Sequence, residues 1–320
     1  MPPAPQRLFH DVGAPDAIPE IAPVRALARP EETWRVPPPV SVVTPVRPGR
    51  AERAWTLLRE RAPAVAMALC SLLGIVLFWH LATHYKLDFY VRFTNIPTPA
   101  EVLAKVVEVN SSPKFIHNVW MSLRRIFIGF AIATVLGVAL GMLIGRYRLA
   151  RGVVFPAMEV FRPIPAIAWV PISIMLWPDN EVSIVFITFI GAFFPILLNT
   201  VSGVQAVDDV LLRASQCLGA RERQIMWHVV LPGAAPQIFT GLAVGMGVAW
   251  VSLIAAEMIS GQFGIGYFTW EAYSLISYPE IVLGMITIGL LGLLCSGLIR
   301  VVGRSMMPWL SYGARSGSAR

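Results

Sequence analysis

Ionisable side chains within apolar stretches are the first candidates for chemistry in this chain. Arg162 lies inside the apolar run 153–177, and Glu257 lies near the end of the run 237–259. A charge inside a lipid bilayer is costly unless it is paired or functional, so each residue predicts a partner or a polar path. For Arg162 two interpretations stay open: an ion pair with Glu159, one helical turn earlier, or attraction of a small anion. For Glu257 we expect a hydrogen bond at a helix end rather than a ligand contact.

Residue patterns typical of an enzyme are absent from the sequence. It contains no Cys and His cluster, no H-E-x-x-H and no G-x-S-x-G, and its five histidines are dispersed. Cys70, Cys217 and Cys295 are not at metal-binding spacings, and we predict three unpaired thiols. The sequence also lacks the phosphate-binding pattern G-x-x-x-x-G-K-[ST]. We therefore predict no catalytic residue, metal or cofactor on this chain, so that any ATP hydrolysis takes place on a separate subunit.

Composition indicates the class of protein that positions these charges. Of 320 residues, 56% are hydrophobic and only 14% are charged, which is too apolar for an ordinary soluble domain. The net charge of +7 could indicate nucleic-acid binding, but the arginines cluster beside apolar runs and no basic and aromatic face is present. Positive residues that flank membrane spans explain the same charge. The sequence thus predicts a polytopic membrane protein that does not bind nucleic acid.

Six apolar runs are long enough to cross a bilayer as helices, which requires about 20 residues each. They are residues 64–85, 118–145, 153–177, 182–204, 237–259 and 281–302. Arginines precede the first run and follow the last, so the positive-inside rule predicts that both termini are cytoplasmic. The segment 86–117 is an exception, because it is expected on the outer side yet contains four lysines and arginines mixed with acidic residues. The predicted fold is all-α, with about six transmembrane helices.

Two tails flank the predicted membrane region. Residues 1–63 are rich in Pro, Ala, Arg and Glu without periodicity, which predicts a disordered cytoplasmic tail; docking of this tail to a partner is the alternative. It is not predicted to be a secretory signal, because the first apolar run begins too late. Residues 64–117 hold the first span and, after Pro97 and Pro99, a short amphipathic helix at the outer surface. Residues 305–320 are predicted to be a cytoplasmic C-terminal tail.

The second span combines a face of small residues with two arginines. Gly137, Gly141 and Gly145 are four residues apart, so they share one helix face that another helix can approach closely. We expect Arg124 and Arg125 to extend to the bilayer interface; contact with an incoming anion is the alternative. The fifth span has a comparable set of glycines, Gly241, Gly245 and Gly247.

The third span is predicted to be broken. Pro163, Pro165 and Pro171 each remove a backbone donor, so the helix must kink or unwind within the membrane. Unwound backbone is tolerated at that depth only where it is buried in protein or lines a wet path. The prolines therefore draw attention to the same region as Arg162.

The longest charged stretch between two apolar runs is Asp208–Pro236, and its pattern predicts two short helices. Asp208 and Asp209 suit the N-terminus of the first helix, and Gly219 supplies the left-handed residue that ends a helix. A second helix is predicted from Ala220 to Pro232, with Pro232 ending it. A unit of helix, glycine, helix and proline between membrane spans is expected to protrude into water, where a partner can bind it.

These residues carry a family resemblance. Ala214, Ser215 and Gly219, followed by Leu231 and Pro232, resemble the cytoplasmic EAA loop of permease subunits of ATP-binding-cassette importers. The sequence departs from that pattern in two places, since Arg213 stands where the family usually has glutamate and Ser215 where it has a second alanine. The run FRPIPAIAWVPISIMLW resembles the signature of the nitrate, sulfonate, taurine and bicarbonate importers, and FGIGYFTWEAYS is more similar to the nitrate branch.

The resemblance implies an all-α permease of the type I, MetI-like fold over residues 118–304, in the bacterial inner membrane. It implies a homodimer, two ATPase subunits bound at loop 208–236, and a periplasmic substrate-binding protein. The expected cargo is a small oxyanion, either nitrate or an aliphatic sulfonate such as taurine. The residues expected to couple to the ATPase are Arg213, Ala214, Ser215, Gly219, Ala220, Leu231 and Pro232. The candidate translocation pathway comprises Arg162, Pro163, Pro165, Trp169, Pro171 and Glu257.

Two other classes of protein are compatible with a polytopic sequence. A secondary transporter or channel would work without an ATPase, and a secondary transporter would usually show inverted repeats with paired broken helices. The sequence has one strongly broken span and no convincing internal repeat. A membrane enzyme would need an acid, base or metal constellation, and the sequence shows none.

Overall fold

The computed structural model describes residues 50–86, 93–110 and 112–309. The chain divides into two compact units, Met1–Pro63 and Ala64–Arg320, and the account below concerns the second. Most of the predicted N-terminal tail lies outside the described residues, and so does the C-terminal tail beyond residue 309. The first helix already begins at Arg50, so the last part of the predicted tail is helical.

All regular secondary structure in the described ranges is helical. The helices are α1 Arg50–His84, α2 Pro99–Asn110, α3 Pro113–Arg146, α4 Arg148–Phe161, α5 Val170–Leu176, α6 Asn180–Gln205, α7 Asp209–Cys217, α8 Glu222–Ile225, α9 Leu231–Ser260, α10 Ile265–Ser274 and α11 Tyr278–Met306. Short 3-10 turns at Phe93–Asn95 and Ala166–Trp169, and a π turn at Met226–Val230, complete the secondary structure. The all-α prediction is confirmed.

Five helical segments in the described ranges are long and apolar enough to cross a membrane: Val65–His84 of α1, then α3, α6, the continuous stretch Glu222–Ser260, and α11. The α4 helix and the segment Ala166–Leu176 pass the same test together but are bent by 86°. Counted as one span, this bent pair gives the six spans that the sequence predicts. The fifth span is longer than predicted, because its helix begins at Glu222 rather than at residue 237.

Glycines set the direction of α3 relative to α6. A Cβ on Gly141 would lie 2.6 Å from Cβ of Thr200, and a Cβ on Gly145 would lie 2.6 Å from Cβ of Val204. The contact numbers rise together along both helices, so α3 and α6 are parallel. Helices in a membrane associate through such close van der Waals packing rather than through the hydrophobic effect. The predicted packing face of the second span is confirmed.

Because α3 and α6 are parallel, the chain must cross the bundle in the opposite direction between them. The helices α4 and α5 form this return crossing. At the beginning of α4, the Arg151 guanidinium donates to the Gly145 carbonyl at the end of α3, at 2.8 Å. At the other end, Ser173 of α5 and Ser183 of α6 each donate a hydroxyl to the other's carbonyl, at 3.2 and 3.0 Å. The broken pair thus spans the length of the bundle despite its bend.

The α9 helix packs antiparallel on the other side of α6. Gly241 faces Asn199, whereas Gly245, further along α9, faces the earlier Ile196. A Cβ on Gly247 would meet open space, so the packing prediction is confirmed for two of the three glycines of this span. The α6 helix is therefore central, and its fully buried core side chains include Ile184, Ile187, Ile196 and Leu197.

This arrangement defines two ends of the bundle. The loop end holds the last residues of α3 and α6 and the first residues of α9, at Arg146, Gln205 and Leu231. The far end holds the first residues of α3 and α6 and the last residue of α9, at Pro113 and Ser260 among others. The candidate sites lie at the loop end, at the broken span and at the far end.

Candidate functional sites at the loop, the broken span and the far end

The first loop helix, α7, begins and ends as its residue types predict. The Asp208 carboxylate accepts a hydrogen bond from the Val210 N–H at 2.8 Å, which caps the N-terminus. Gly219 adopts φ of 78°, the left-handed conformation. Its N–H donates to the Gln216 carbonyl at 2.9 Å, and the Ala220 N–H donates back to the Ser215 carbonyl at 3.1 Å. These two bonds form a Schellman motif, which ends α7 and turns the chain into the next helix.

The second loop helix does not end at Pro232, which corrects the sequence prediction. α8 leads into the π turn Met226–Val230, and Pro232 occupies the first turn of α9. The Leu231 N–H donates to the Met226 carbonyl, one residue further back than in an α-helix. The wider turn accommodates the proline, which has no N–H to donate and would disrupt a regular helix interior. One continuous helical segment therefore joins the loop to the fifth span.

The loop has a buried base and an exposed tip. Ile225 and Val230 are each only 1% exposed and pack with Val204 at the end of α6. By contrast, Leu218 beside Gly219 is 88% exposed, and Leu211 of α7 is also exposed. Exposed apolar side chains on a firmly anchored protrusion are typical of a surface that a partner protein covers.

The predicted coupling residues divide between the tip and the base. Ser215, Gly219 and Ala220 line one open groove of about 440 Å³ between the two loop helices. Arg213 and Ala214 are exposed on α7, where Nε of Arg213 donates to the Asp209 carbonyl at 3.3 Å. Leu231 and Pro232 are half-buried at the base. The coupling function of these residues stays a prediction.

The broken span unwinds where the prolines predict. Arg162 follows the last residue of α4, Pro163 and Pro165 occupy the irregular segment after it, and a 3-10 turn ends at Trp169. Pro171 lies in the first turn of α5, where a missing N–H costs no helical bond. The indole Nε1 of Trp169 is buried and has no hydrogen-bond partner among the described residues.

A cavity of about 410 Å³ lies between this broken segment, α6 and α9. Arg162 is the only charged residue of its lining, and Asn199 of α6 supplies an amide. Most of the other lining residues are apolar, including Ile164, Phe194 and Val248. A single cation, an amide and irregular backbone beside an apolar wall can accept a small anion in transit.

The Arg162 side chain also meets the alternative partner that the sequence offers. Its Nη1 lies 3.3 Å from Oε1 of Glu159, and both side chains are about half exposed. The pair makes one hydrogen bond, from Nη1, so the other N–H groups of the guanidinium stay available to a ligand. The ion pair therefore exists, and it leaves the guanidinium free to exchange partners.

The far end contains an ionic cluster, named here the Arg125 cluster, of the buried residues Ser122, Arg125 and Glu257 and the part-exposed Glu181. Arg125 is 1% exposed, and its Nη1 donates to Oε1 of Glu257 at 2.9 Å. Its Nε donates to Oε2 of Glu181 at 3.0 Å, and its Nη2 donates to the other oxygen of Glu181. Arg125 does not extend to the bilayer interface as predicted, because two carboxylates hold it inside the bundle.

Glu257 completes the Arg125 cluster. Its carboxylate is fully buried and accepts from the Ser122 hydroxyl at 2.8 and 2.9 Å and from the Gly266 N–H at 3.0 Å. The predicted hydrogen bond at a helix end is thus present. The structure does not bring Glu257 together with Arg162, which lines the cavity beside the broken span.

Sequence reasoning treated Arg125 and Glu257 one at a time and missed their pairing. A usable signal existed, since an intramembrane arginine and an intramembrane glutamate each require a partner. The cluster also explains Gly264, whose φ is 124° and where a Cβ would overlap the Glu257 carboxylate. Asn118 accepts the Gly264 N–H at 3.0 Å, so the chain after α9 is tied back onto α3.

Two of the basic residues that depart from the predicted charge distribution are Lys105 in α2 and Lys114 in the first turn of α3. Nζ of Lys105 lies 3.0 Å from carboxylates of both Glu108 and Glu280, and Nζ of Lys114 lies 2.9 Å from Glu271. The hydrogen bonds that Lys105 donates to Glu108 and Glu280 raise the pKa of Lys105. Carboxylates therefore neutralise two of the four basic residues of segment 86–117.

Comparison with known proteins places this geometry among transporters. Residues 121–312 match the family described as binding-protein-dependent transport system inner membrane component. The chain is 43% identical over 195 residues to a putative ABC transporter permease protein, MJ0413, of Methanocaldococcus jannaschii, covering 61% of this chain and 73% of that protein. It is 35% identical over 224 residues to the nitrate import permease protein NrtB of Synechocystis sp., covering 67% and 82%. It is 29% identical over 265 residues to the taurine transport system permease protein TauC of Escherichia coli, covering 81% and 94%.

Two solved structures share the fold. A chain of the MetNI methionine ABC transporter, in an inward-facing conformation, matches with a TM-score of 0.50 and 21% identity, covering 62% of this chain and 98% of that one. A chain of a bacterial ABC transporter that imports alginate matches with a TM-score of 0.53 and 13% identity, covering 79% and 99%. At these identities the likeness establishes the fold alone, and it confirms the MetI-like fold class.

Proposed function

The chain belongs to the binding-protein-dependent transport system inner membrane components, the permeases of ABC importers, and from that premise we propose how it works. Its loop Asp208–Pro236 docks onto a separate ATPase subunit. A second copy of the chain completes the translocation pathway, and a periplasmic binding protein delivers the substrate. The loop end faces the cytoplasm, and both termini lie on the same side.

The anchored, exposed loop is the observation that carries this proposal. Its tip presents Leu211 and Leu218 to solvent, while Ile225 and Val230 fix its base to the core. Because one helical segment runs from Glu222 to Ser260, a push on the loop is transmitted directly to the fifth span. Two states that bind the ATPase differently can then alternate access to the pathway.

The cavity beside the broken span supports a small oxyanion as cargo. Arg162 and Asn199 supply the donors, and the irregular backbone around Ile164, Pro165 and Ala166 lines the cavity beside them. Nitrate and the sulfonate group of aliphatic sulfonates each carry one negative charge, which the guanidinium of Arg162 can bind. Similarity to a nitrate permease at 35% identity and to a taurine permease at 29% identity is compatible with either substrate.

A co-purification experiment tests the coupling loop. We expect the wild-type chain to retain a P-loop ATPase from native membranes, and we expect Gly219→Val to lose it, because valine disfavours the left-handed backbone at this position. Gly289→Val is the matched control, since Gly289 lies in α11 where an added Cβ meets open space. Retention of the ATPase by Gly219→Val would show that the loop is not the docking site. Transport by the chain alone without ATP would favour a secondary transporter.

An uptake experiment tests the cargo and the pathway. Cells that contain the complete importer are given labelled nitrate, taurine or bicarbonate, with wild-type chain or Arg162→Gln. We expect uptake of one of the first two and a marked loss in the variant at unchanged protein level. Normal uptake by Arg162→Gln would show that Arg162 does not bind the cargo and serves only as the ion-pair partner of Glu159.

A further inference from the structure

Another charged cavity lies at the loop end, apart from the cavity beside the broken span. Its volume is about 350 Å³, and it lies where the turn between α3 and α4 meets the end of α6 and the start of α7. Three arginines, Arg146, Arg148 and Arg151, line it together with Gln205 and Asp209. It is named here the basic cavity.

The arginines of the basic cavity are only partly neutralised. Nη2 of Arg146 lies 3.0 and 3.1 Å from the two carboxylate oxygens of Glu222, and Arg151 donates to the Ile144 and Gly145 carbonyls at 3.4 and 2.8 Å. Asp209 is the only carboxylate in the lining. Three positive charges thus face two negative ones, which leaves an excess of one positive charge.

Two donors in the cavity remain free. Nε of Arg146 is buried and has no hydrogen-bond partner among the described residues. Arg148 has no ion pair or hydrogen bond to another described side chain. A buried donor without a partner is costly, and the exposed Arg148 adds an unpaired positive charge beside it, so the two groups together favour an anionic ligand.

The surroundings of the basic cavity indicate which kind of anion binds. Tyr147, Leu149 and Val153 are all exposed on the turn and on α4, next to Arg148 and Arg151. Arginines beside exposed apolar side chains are typical of a segment at the membrane interface, where headgroups meet acyl chains. A free anion would satisfy the arginines and leave the apolar side chains in water.

We propose that the basic cavity binds the phosphate of an anionic phospholipid, such as phosphatidylglycerol, with its acyl chains against Leu149 and Val153. A phosphodiester carries one negative charge, which equals the excess in the cavity. A phosphate monoester carries about 1.5 to 2 negative charges at neutral pH, more than the excess provides. Asp209 and Glu222 make that difference unfavourable for free inorganic phosphate.

The bound lipid would stabilise the loop in its docking position. Asp209 and Leu212 of α7 line the cavity, and Arg146 holds Glu222 of α8. A phosphate on Arg146 and Arg148 screens the arginines from each other and completes the hydrogen bonds at the root of both loop helices. The consequence for ATPase coupling rests on the proposed function, whereas lipid binding itself does not.

Lipid binding is tested on the purified full chain by native mass spectrometry, with phosphatidylglycerol or phosphatidylcholine of equal chain length. We expect phosphatidylglycerol to be retained preferentially and Arg148→Gln to retain it about five-fold less, the contribution of one arginine near an anionic surface. Arg304→Gln is the matched control, since Arg304 is exposed near the end of α11 and does not line the cavity. Equal retention of the two lipids, or equal loss in both variants, would overturn the proposal.

Two further measurements are needed. The first distinguishes a lipid phosphate from free inorganic phosphate, and the second distinguishes the lipid-site proposal from the ATPase-coupling proposal. Millimolar inorganic phosphate should not displace the lipid from wild-type chain, and displacement would show that a free anion is the ligand. In nanodiscs with the ATPase bound, phosphatidylglycerol should stimulate ATP hydrolysis for wild type and Arg304→Gln but not for Arg148→Gln. If no ATPase binds the chain while lipid retention still depends on Arg148, the coupling proposal fails and the lipid site stands.

Discussion

The two ends of the bundle keep their charges in opposite ways. At the far end, Arg125 and Glu257 are buried and each makes several hydrogen bonds with neighbouring helices. At the loop end, Arg213 and Leu218 are exposed, and an apolar base together with the part-exposed ion pair Arg146–Glu222 anchors the protrusion. Buried, paired charges thus hold the far-end helices in one arrangement, whereas the loop end leaves side chains exposed, as its proposed docking to a partner protein requires.

Removal of the central arginine should have the largest effect on stability. Arg125→Met leaves the fully buried Glu257 without its cation, and breaking a buried pair costs about 3–5 kcal/mol. The free energy of unfolding in detergent, measured by denaturant titration, should fall by that amount. The double variant Arg125→Met with Glu257→Gln should recover part of the loss, because the uncharged amide still accepts from Ser122 and Gly266. A loss below about 1 kcal/mol in the single variant would place the cluster with exposed ion pairs.

This cluster marks the limit of what the sequence predicts. The apolar runs predict the number of spans, and the glycine faces of α3 and α9 predict that these helices pack closely. Both predictions follow from the spacing of residues that are near each other in sequence. The partners Arg125 and Glu257 lie 132 residues apart and meet only through the tertiary arrangement of α3 and α9. Likewise, Pro232 looks like a helix end in sequence, and local spacing gives no signal for the π turn before it, whose last residue Val230 packs with Val204 of α6.

Substitution of Gly264, the glycine beside the Arg125 cluster, should cause the second-largest loss of stability. Gly264→Ala places a methyl group against the Glu257 carboxylate at a φ of 124°, so overlap and backbone strain add. We expect a loss of about 3 kcal/mol, since each effect costs about 1–3 kcal/mol. Thermal unfolding of the purified variant measures it, with Gly289→Ala as the control for an added methyl group in open space. Equal transition temperatures for the two variants would mean that the far end repacks freely.

A glycine-to-alanine substitution at the loop end should lower stability less and ATPase binding more than the substitution at the far end. Gly219 has a left-handed φ of 78°, and no atom lies within 4 Å of the Cβ that Gly219→Ala would add. The variant is therefore destabilised only by the cost of a left-handed backbone at alanine, about 1 kcal/mol. We expect a small shift in thermal unfolding together with a clear loss of ATPase binding, because the exposed tip changes direction. A large loss of stability with intact ATPase binding would reverse the distinction drawn between the two ends.

The smallest effect should come from a far-end ion pair outside the buried cluster. Lys114 binds Glu271 at 2.9 Å, yet its side chain is 59% exposed, so water and salt compete with the carboxylate. Lys114→Gln should lower the free energy of unfolding by about 0.5 kcal/mol at low salt, and the difference should vanish in 1 M salt. Arg125→Met should keep its full effect in both conditions, because its partner Glu257 is buried beyond the reach of ions. If 1 M salt also abolished the loss of unfolding free energy in Arg125→Met, burial would not distinguish the two ion pairs. Water would then reach both pairs to a similar extent.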